Sequence, residues 1–354
     1  MNKLTSSSPM IIDLHEDISY YYVCGASGLE FGLEEFDKDM PGRHGDIPKY
    51  RKAKVAIVFS SVFCLLSTVS PRISETLTKG YAEKAIRAWT PRATNATSLE
   101  HLKVYYRLAE LYPRDLVILL RKDDLQRSIN GERIGFLLAL EGAYMLEDVD
   151  DIRLYYNLGV RSLQIMWNFD NRYGASCMST KDYGLTGEGE ELVKEANKRG
   201  IILDLAHASK NTHIDVLNAS KLPVINSHSN ARKLKDVPRN LDDEIYQEFK
   251  KNKGVVGFIF GMIGGNEDIY SLADQIMYVY QNFGPDIIAI GTDYFGLIDG
   301  KAPKGLEDIT KISNLFKILL DKGLKESDIE KLAYKNALRV IEANATYWKI
   351  HTLT

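Results

Sequence analysis

The sequence predicts an α/β fold, a (β/α)8 TIM-type barrel with a helical insertion after strand two. Three observations carry this expectation. Eight strand-like runs recur, at Met10–His15, Val55–Ser61, Ile134–Leu140, Ser162–Trp167, Ile201–Ala206, Pro223–Ser227, Val255–Phe260 and Ile287–Gly291. Most are unbroken stretches of Val, Ile and Leu, as parallel strands covered on both faces require. The intervening segments read as helices, and no Gly-x-Gly-x-x-Gly follows the first run, which argues against a doubly wound dinucleotide fold.

Each element has its own signal. The first run opens with the β-branched pair Ile11-Ile12 and leads into His15-x-Asp17. On a strand those two side chains share a side, because the period is two. The stretch from Leu65 to Arg121 is too long for one βα unit, so an inserted helical region of about residues 65–121 is expected. Within it, Thr97–Tyr112 is amphipathic and stopped by Pro113, and Leu116–Leu120 reads as an insertion or helix piece. Glu190–Arg199 carries acidic residues first and basic residues last, matching the helix dipole. Gly200 suits its C′ position, whereas no strong N-cap precedes Glu190. Lys250-Lys251-Asn252-Lys253 reads as a solvated helix end. Leu306–Thr310 starts another helix, and Glu326–Ala343 places Ile329, Leu332, Ala333, Asn336, Ala337 and Val340 on one face. Without a repeat, a low-complexity segment or a linker, residues 1–354 read as one domain.

Composition excludes several classes. The 45 basic and 48 acidic residues give a formal charge of −3, so nothing calls for nucleic acid or an anionic membrane. Cys24, Cys64 and Cys177 are widely spaced and form no Cys-x-x-Cys, as expected of thiols in a reducing compartment. The first residues lack an apolar signal core, and no run approaches a membrane span. The expectation is a soluble cytoplasmic protein.

The strand ends carry the chemistry. In such a barrel catalytic groups sit at the C-terminal ends of strands. Here these positions hold His15 and Asp17, Glu141, His207, His228 and Asp293, so three of the seven histidines fall there. Mixed imidazole and carboxylate donors suit divalent ions such as zinc. Six groups are many for one ion and few for two, so a pair would need a shared carboxylate. Taken singly, each has a plainer explanation: His15 as a packed core histidine, Glu141 as a loop carboxylate, Asp293 as a cap.

An ordered set of motifs resembles the membrane dipeptidase (renal dipeptidase) family of binuclear zinc peptidases. It comprises Asp13-x-His15-x-Asp17, Asp46-Ile47-Pro48, Glu141-Gly142, and Gly184-Leu185-Thr186 followed by Glu191-Leu192-Val193. Asp204-Leu205-x-His207-x-Ser209, Ser227-His228-Ser229-x-Ala231-Arg232, Pro238-Arg239-Asn240, Gly291-x-Asp293-x-x-Gly296 and Asn336-x-Leu338-Arg339-Val340 continue it. The resemblance implies a metal-dependent hydrolase of dipeptides or similar small amides holding two divalent ions, with zinc expected. Glu141 would bridge them, His15 and Asp17 would complete one site, and His207 and His228 the other. A hydroxide bridging the ions would attack the scissile carbonyl, and Asp293 would move its proton to the leaving amine. Arg239 would hold the substrate's carboxylate with its two-pronged guanidinium; the plainer alternative is a surface ion pair. The family also admits a homodimer, although no patch in the sequence marks an interface.

Two departures bear on substrate. Trp167, followed by Asn168, stands where the family often has a histidine that binds the carbonyl or its oxyanion. Trp167 is expected as a pocket wall and Asn168 as a substitute contact, because an indole N–H donates but carries no charge. Losing one oxyanion donor costs roughly 100–1,000-fold in rate. After strand seven, Phe260-Gly261-Met262-Ile263-Gly264-Gly265 replaces an Asn/Tyr-containing stretch, so a more open and less polar pocket is expected. These changes keep two alternatives in view: a same-fold hydrolase of a lactam, lactone or cyclic amide, and a non-catalytic metal-retaining binding protein. Asp13 and Asp204 are candidates for orienting ligand histidines or for structural use. His44, His101, His213 and His351 are left as surface or packing residues.

Overall fold

A computed structural model describes residues 8–23, 35–64, 94–297 and 301–349. Among these residues are nine parallel strands: β1 (Ile11–Glu16), β2 (Val55–Val62), β3 (Leu116–Ile118), β4 (Ile134–Glu141), β5 (Val160–Gln164), β6 (Ile202–Asp204), β7 (Ile225–Ser229), β8 (Val255–Phe258) and β9 (Ile288–Ile290). Their order, β2-β1-β9-β8-β7-β6-β5-β4, is closed by pairing of β2 with β4, which makes an eight-stranded barrel. All eight expected runs supply a barrel strand, with ends shifted by a few residues.

Leu116–Leu120 departs from expectation. Its first three residues form β3, which pairs with Ile134, Gly135 and Phe136 at the start of β4. A three-residue strand carries no period that could separate it from a helix fragment. The helix Thr94–Leu111 accounts for the C-terminal part of the expected insertion; residues 65–93 lie outside the described residues, as do Cys24 and His351.

Both faces of the sheet are covered. Along β4, Phe136, Leu138 and Leu140 join one buried cluster while Leu137 and Ala139 join another. Successive side chains on a strand point to opposite faces, so this run can hold almost no polar residue until its last, Glu141.

The barrel wall is uneven. β2 and β4 share six paired positions, whereas β1 meets β9 only at Asp13↔Ile290 and β6 meets β7 only at Asp204↔Ile225. At each of these two seams a buried carboxylate supplements a short ladder of backbone hydrogen bonds. Asp13 Oδ1 accepts from the backbone N–H groups of His15 (3.2 Å) and Thr292 (2.9 Å), and Oδ2 accepts from Thr292 Oγ1 at 2.7 Å. Asp204 Oδ1 accepts from Ala206 N at 3.0 Å and Ser227 N at 2.9 Å. These contacts give Asp13 and Asp204 the structural use.

Helix starts and stops follow local chemistry. The helix expected to begin near Glu190 runs from Gly187 to Arg199, and Thr186 caps it by accepting from Gly189 N at 3.1 Å. The cap was hidden by Gly187-Glu188-Gly189, which reads as a loop. Gly200 closes the helix with φ 66°, a left-handed conformation that favours glycine. Lys250 and Lys251 lie in the last turn of the helix Asp243–Asn252. Beyond a 3-10 turn at Ile309–Lys311, the helix of this region spans Ile312–Asp321. The C-terminal helical face is interrupted by a wider π turn at Lys331–Lys335 between Glu326–Glu330 and Asn336–Ala345. Asp46-Ile47-Pro48 is a helix start: Asp46 accepts from Lys49 N at 3.0 Å, and Pro48 lies in the first turn of Ile47–Ala53, where its missing N–H costs nothing. No described helix is long and apolar enough to cross a membrane.

Candidate metal and active site

The C-terminal ends of β1, β4, β6, β7 and β9 bring His15, Asp17, Glu141, His207, His228 and Asp293 together. Their donor atoms form three overlapping groups: His15 with Asp17 and Glu141; Glu141 with His207 and His228; and His15 with His228 and Asp293. His15 Nε2 lies 3.4 Å from Asp17 Oδ2, 3.3 Å from Glu141 Oε2 and 3.9 Å from Asp293 Oδ1. On the other side Glu141 Oε1 lies 3.4 Å from His207 Nε2 and 4.0 Å from His228 Nε2. The two oxygens of Glu141 thus face different histidines.

The local backbone is unusual where these residues sit. His207 (φ 65°) and Asp293 (φ 62°) are left-handed without being glycine, a state that costs on the order of 1–3 kcal/mol and is retained mostly at functional sites. A β-carbon on Gly296 would sit 2.0 Å from Asp17 Oδ2 and 2.8 Å from Asp293 Oδ1. Only a residue without a side chain lets both carboxylates occupy their places.

Burial governs the charges. Burial alone would lower the His15 imidazolium, but the Glu141 and Asp17 carboxylates together hold it well above its usual range. Burial and then the Asp17 charge push Glu141 up and Asp293 well up. Burial opposes ionisation of Asp17 too, yet His15 and further hydrogen bonds draw it below the usual range. His207 and His228 are pushed well down, first by burial, then by Arg239 and His15 for His207 and by His15 and Arg239 for His228. Two neutral imidazoles therefore face each other, Nε2 to Nε2, at 3.1 Å.

This donor set fits divalent cations. Asp17 Oδ1 is buried without a hydrogen-bond partner, which costs about 1–3 kcal/mol, and His15 Nε2 makes no well-formed hydrogen bond but faces carboxylate oxygens at 3.3–3.9 Å. Neutral imidazole nitrogens and carboxylate oxygens are the donors that zinc-like ions take.

The surroundings hold one residue that motif reading missed. Ser61, at the end of β2, donates to Glu141 Oε2 at 3.1 Å. A polar residue at a strand's C-terminal end was the available signal. Asn168, expected to face substrate, places its carboxamide oxygen 2.6 Å from His207 Nδ1. His228 Nδ1 lies 2.7 Å from Ser227 Oγ. Trp167 forms a wall with Phe63 and Phe169, at ring separations of 5.0 and 5.7 Å, and lies 6.0 Å from the His207 ring.

Arg239 is not a surface ion-pair residue. It is buried, and its guanidinium donates to His228 O at 3.1 Å and Ser229 Oγ at 3.4 Å, with no carboxylate partner among the described residues. The stretch after β8 is apolar, with Phe260 and Ile263 buried. It is also tied down: Asn230 donates to Ile259 O and Gly261 O, Asn240 to Met262 O, and Gln275 to Ile263 O. His44, His101 and His213 are packing residues rather than surface ones; all three are buried, and burial lowers each to about 4.

Known proteins similar to this chain agree in kind. The sequence profile described as Membrane dipeptidase (Peptidase family M19) matches residues 1–351. An uncharacterized dipeptidase of Schizosaccharomyces pombe is 31% identical over 344 residues, covering 93% of this chain and 79% of its own. The dipeptidase tcpJ of Claviceps purpurea is 27% identical, with coverage of 86% and 70%. Among solved structures, a metallopeptidase from Rhodobacter sphaeroides liganded with a phosphinate mimic of L-Ala-D-Ala superposes with a TM-score of 0.80 at 20% identity, covering 96% of this chain and all of the other. A probable dipeptidase from Pseudomonas aeruginosa gives 0.77 at 19% identity, with 96% of each chain covered. The whole-length profile match and the fission-yeast relative establish the same conclusion: this chain belongs to the membrane dipeptidase family of metallopeptidases.

Proposed function

We propose that this metal-dependent dipeptidase-type hydrolase holds two divalent ions, zinc by preference, and cleaves dipeptides bearing a free carboxylate. The observation that carries the proposal is Glu141. Its two oxygens face His15 on one side and His207 with His228 on the other, at 3.3–4.0 Å. In this reading Glu141 is shared, His15 and Asp17 complete one position, and His207 and His228 complete the other. Bound there, the ions would supply an activated water and a polarised carbonyl.

The chain's own groups would do the rest. Asp293 stands beside His15 at 3.9 Å, and its raised proton affinity suits a carboxyl that takes a proton and returns it to the leaving amine. Arg239, buried without a carboxylate partner, is matched to the substrate's carboxylate. The phosphinate dipeptide mimic bound by the Rhodobacter protein supports a dipeptide substrate. Trp167, with Phe63 and Phe169, would exclude water from one flank. A cytoplasmic location belongs to this proposal on the thiol pattern of the sequence.

Metal content per chain tests the proposal, measured on wild type and Glu141→Gln after zinc loading and dialysis. Two ions in the wild type, falling in the variant, are expected. One ion or none in the zinc-loaded wild type would overturn the shared-carboxylate arrangement.

A further inference from the structure

We infer that Asn168 is a positioning residue for His207, holding its Nε2 lone pair toward Glu141 and His228 and so setting the affinity of that half of the metal site alone. The inference rests on the two-ion reading. Asn168 is 2% exposed, and its Oδ1 lies 2.6 Å from His207 Nδ1. A carboxamide oxygen only accepts, so the proton must sit on Nδ1 and the lone pair on Nε2. Turned the other way, the carboxamide would present an N–H to Nδ1. The ring proton would then move to Nε2, against Glu141 Oε1 at 3.4 Å, and that nitrogen could hold no cation.

The same loop also fixes the backbone. Cys177 N donates to His207 O at 2.7 Å, and Cys177 Sγ stands 3.9 Å from Asn168 Oδ1. His207 has a left-handed φ, and contacts made by Asn168 and Cys177 hold both its ring and its carbonyl. Ser227 Oγ at His228 Nδ1 is a weaker device, because a hydroxyl donates or accepts equally well. His15, between Asp17 and Glu141, is beyond the reach of both. The two halves therefore differ: one is set by two carboxylates, the other by the uncharged side chains of Asn168 and Ser227 behind His207 and His228.

Zinc affinity by chelator competition, on metal-stripped wild type, Asn168→Leu and Asn168→Asp, tests this. Leu keeps the approximate shape and removes the acceptor; Asp keeps an acceptor and adds charge. Outer partners of metal-bound histidines are worth about 10–100-fold in affinity. We expect Asn168→Leu to weaken one of two ions by that factor and leave the other unchanged, with Asn168→Asp binding that ion at least as tightly as wild type. Equal weakening of both ions in Asn168→Leu, no weakening, or an Asp variant no better than Leu would overturn the inference while leaving the two-ion site standing. If Asn168→Leu does not fold, the Asp variant decides by itself: weaker binding of one ion than in wild type is the refuting result. Fewer than two ions in the wild type would instead overturn the underlying two-ion reading.

Discussion

Gly296→Ala perturbs the placement of two carboxylates, Asp17 most and Asp293 less. Gly296 does not have a positive φ, so alanine meets no backbone strain there. The new methyl would stand 2.0 Å from Asp17 Oδ2, where ordinary contact begins at 3.4 Å. The oxygen must therefore retreat by about 1.4 Å, several times the ~0.2 Å tolerance of a metal–ligand distance. Asp293 Oδ1, at 2.8 Å from the same methyl, blocks part of the escape. Loss of Asp17 as a donor should weaken zinc at the His15 position by about 100-fold or more, which is ~2.7 kcal/mol, since even outer-shell losses reach that value. Zinc titration by calorimetry reads this directly, and the thermal midpoint of metal-free protein shows that the fold persists. Gly187→Ala is the control: nothing lies within 4 Å of its added carbon, and it should bind zinc as wild type does. Wild-type zinc affinity in Gly296→Ala would refute the assignment of Asp17 as a donor at that position.

Further outcomes follow from the same geometry. Arg239→Ala should raise KM for dipeptides by about 10–100-fold, the value of a lost charge-assisted hydrogen bond of 1.5–3 kcal/mol, while dipeptide amides, which lack the carboxylate, change little; steady-state kinetics on both separates these. Trp167→His should raise dipeptide kcat, by up to about 100-fold if an oxyanion donor is what the indole lacks; an unchanged kcat removes that explanation. His213 is held neutral down to about 4, below the ~6.5 of an exposed histidine. Between those values the unfolded chain binds the extra proton, so stability falls as pH drops from 6.5 toward 4. Over that window His213 should account for roughly 3 kcal/mol, and denaturant titrations of wild type against His213→Gln should differ in pH slope accordingly.

What was legible in the sequence was what repeats or is rare. Continuous Val/Ile/Leu runs announced the parallel strands because both faces of each are covered, and histidines at their ends stood out because the chain has seven. β3 was not legible, since three residues define no period, and Thr186 was hidden by the glycines that follow it. Among the site residues, type and order along the chain were readable. Which neighbour each one touches was not: Ser61 and Asn168 are common residue types whose contacts depend on how the strand ends meet. The motif residues also mix two tasks that sequence order cannot separate. Asn240 and Asn336 tie down backbone carbonyls, while Glu141 and His228 face the donors.

The two thin seams of the barrel wall have a mechanical consequence. They divide the cylinder into an arc of β7, β8 and β9 and a longer arc of β1, β2, β4, β5 and β6. Each seam is stitched by an aspartate beside a few backbone hydrogen bonds, and each lies under one of the donor groups that mix the arcs: His15 with His228 and Asp293, and Glu141 with His207 and His228. Cations bound by these groups would rivet the shorter arc to the longer one. Amide hydrogen exchange at Thr292 and Ser227, the stitched positions, would then be slowed by loading more than exchange along the β2–β4 ladder. The same ions that prepare the chemistry would also close the wall.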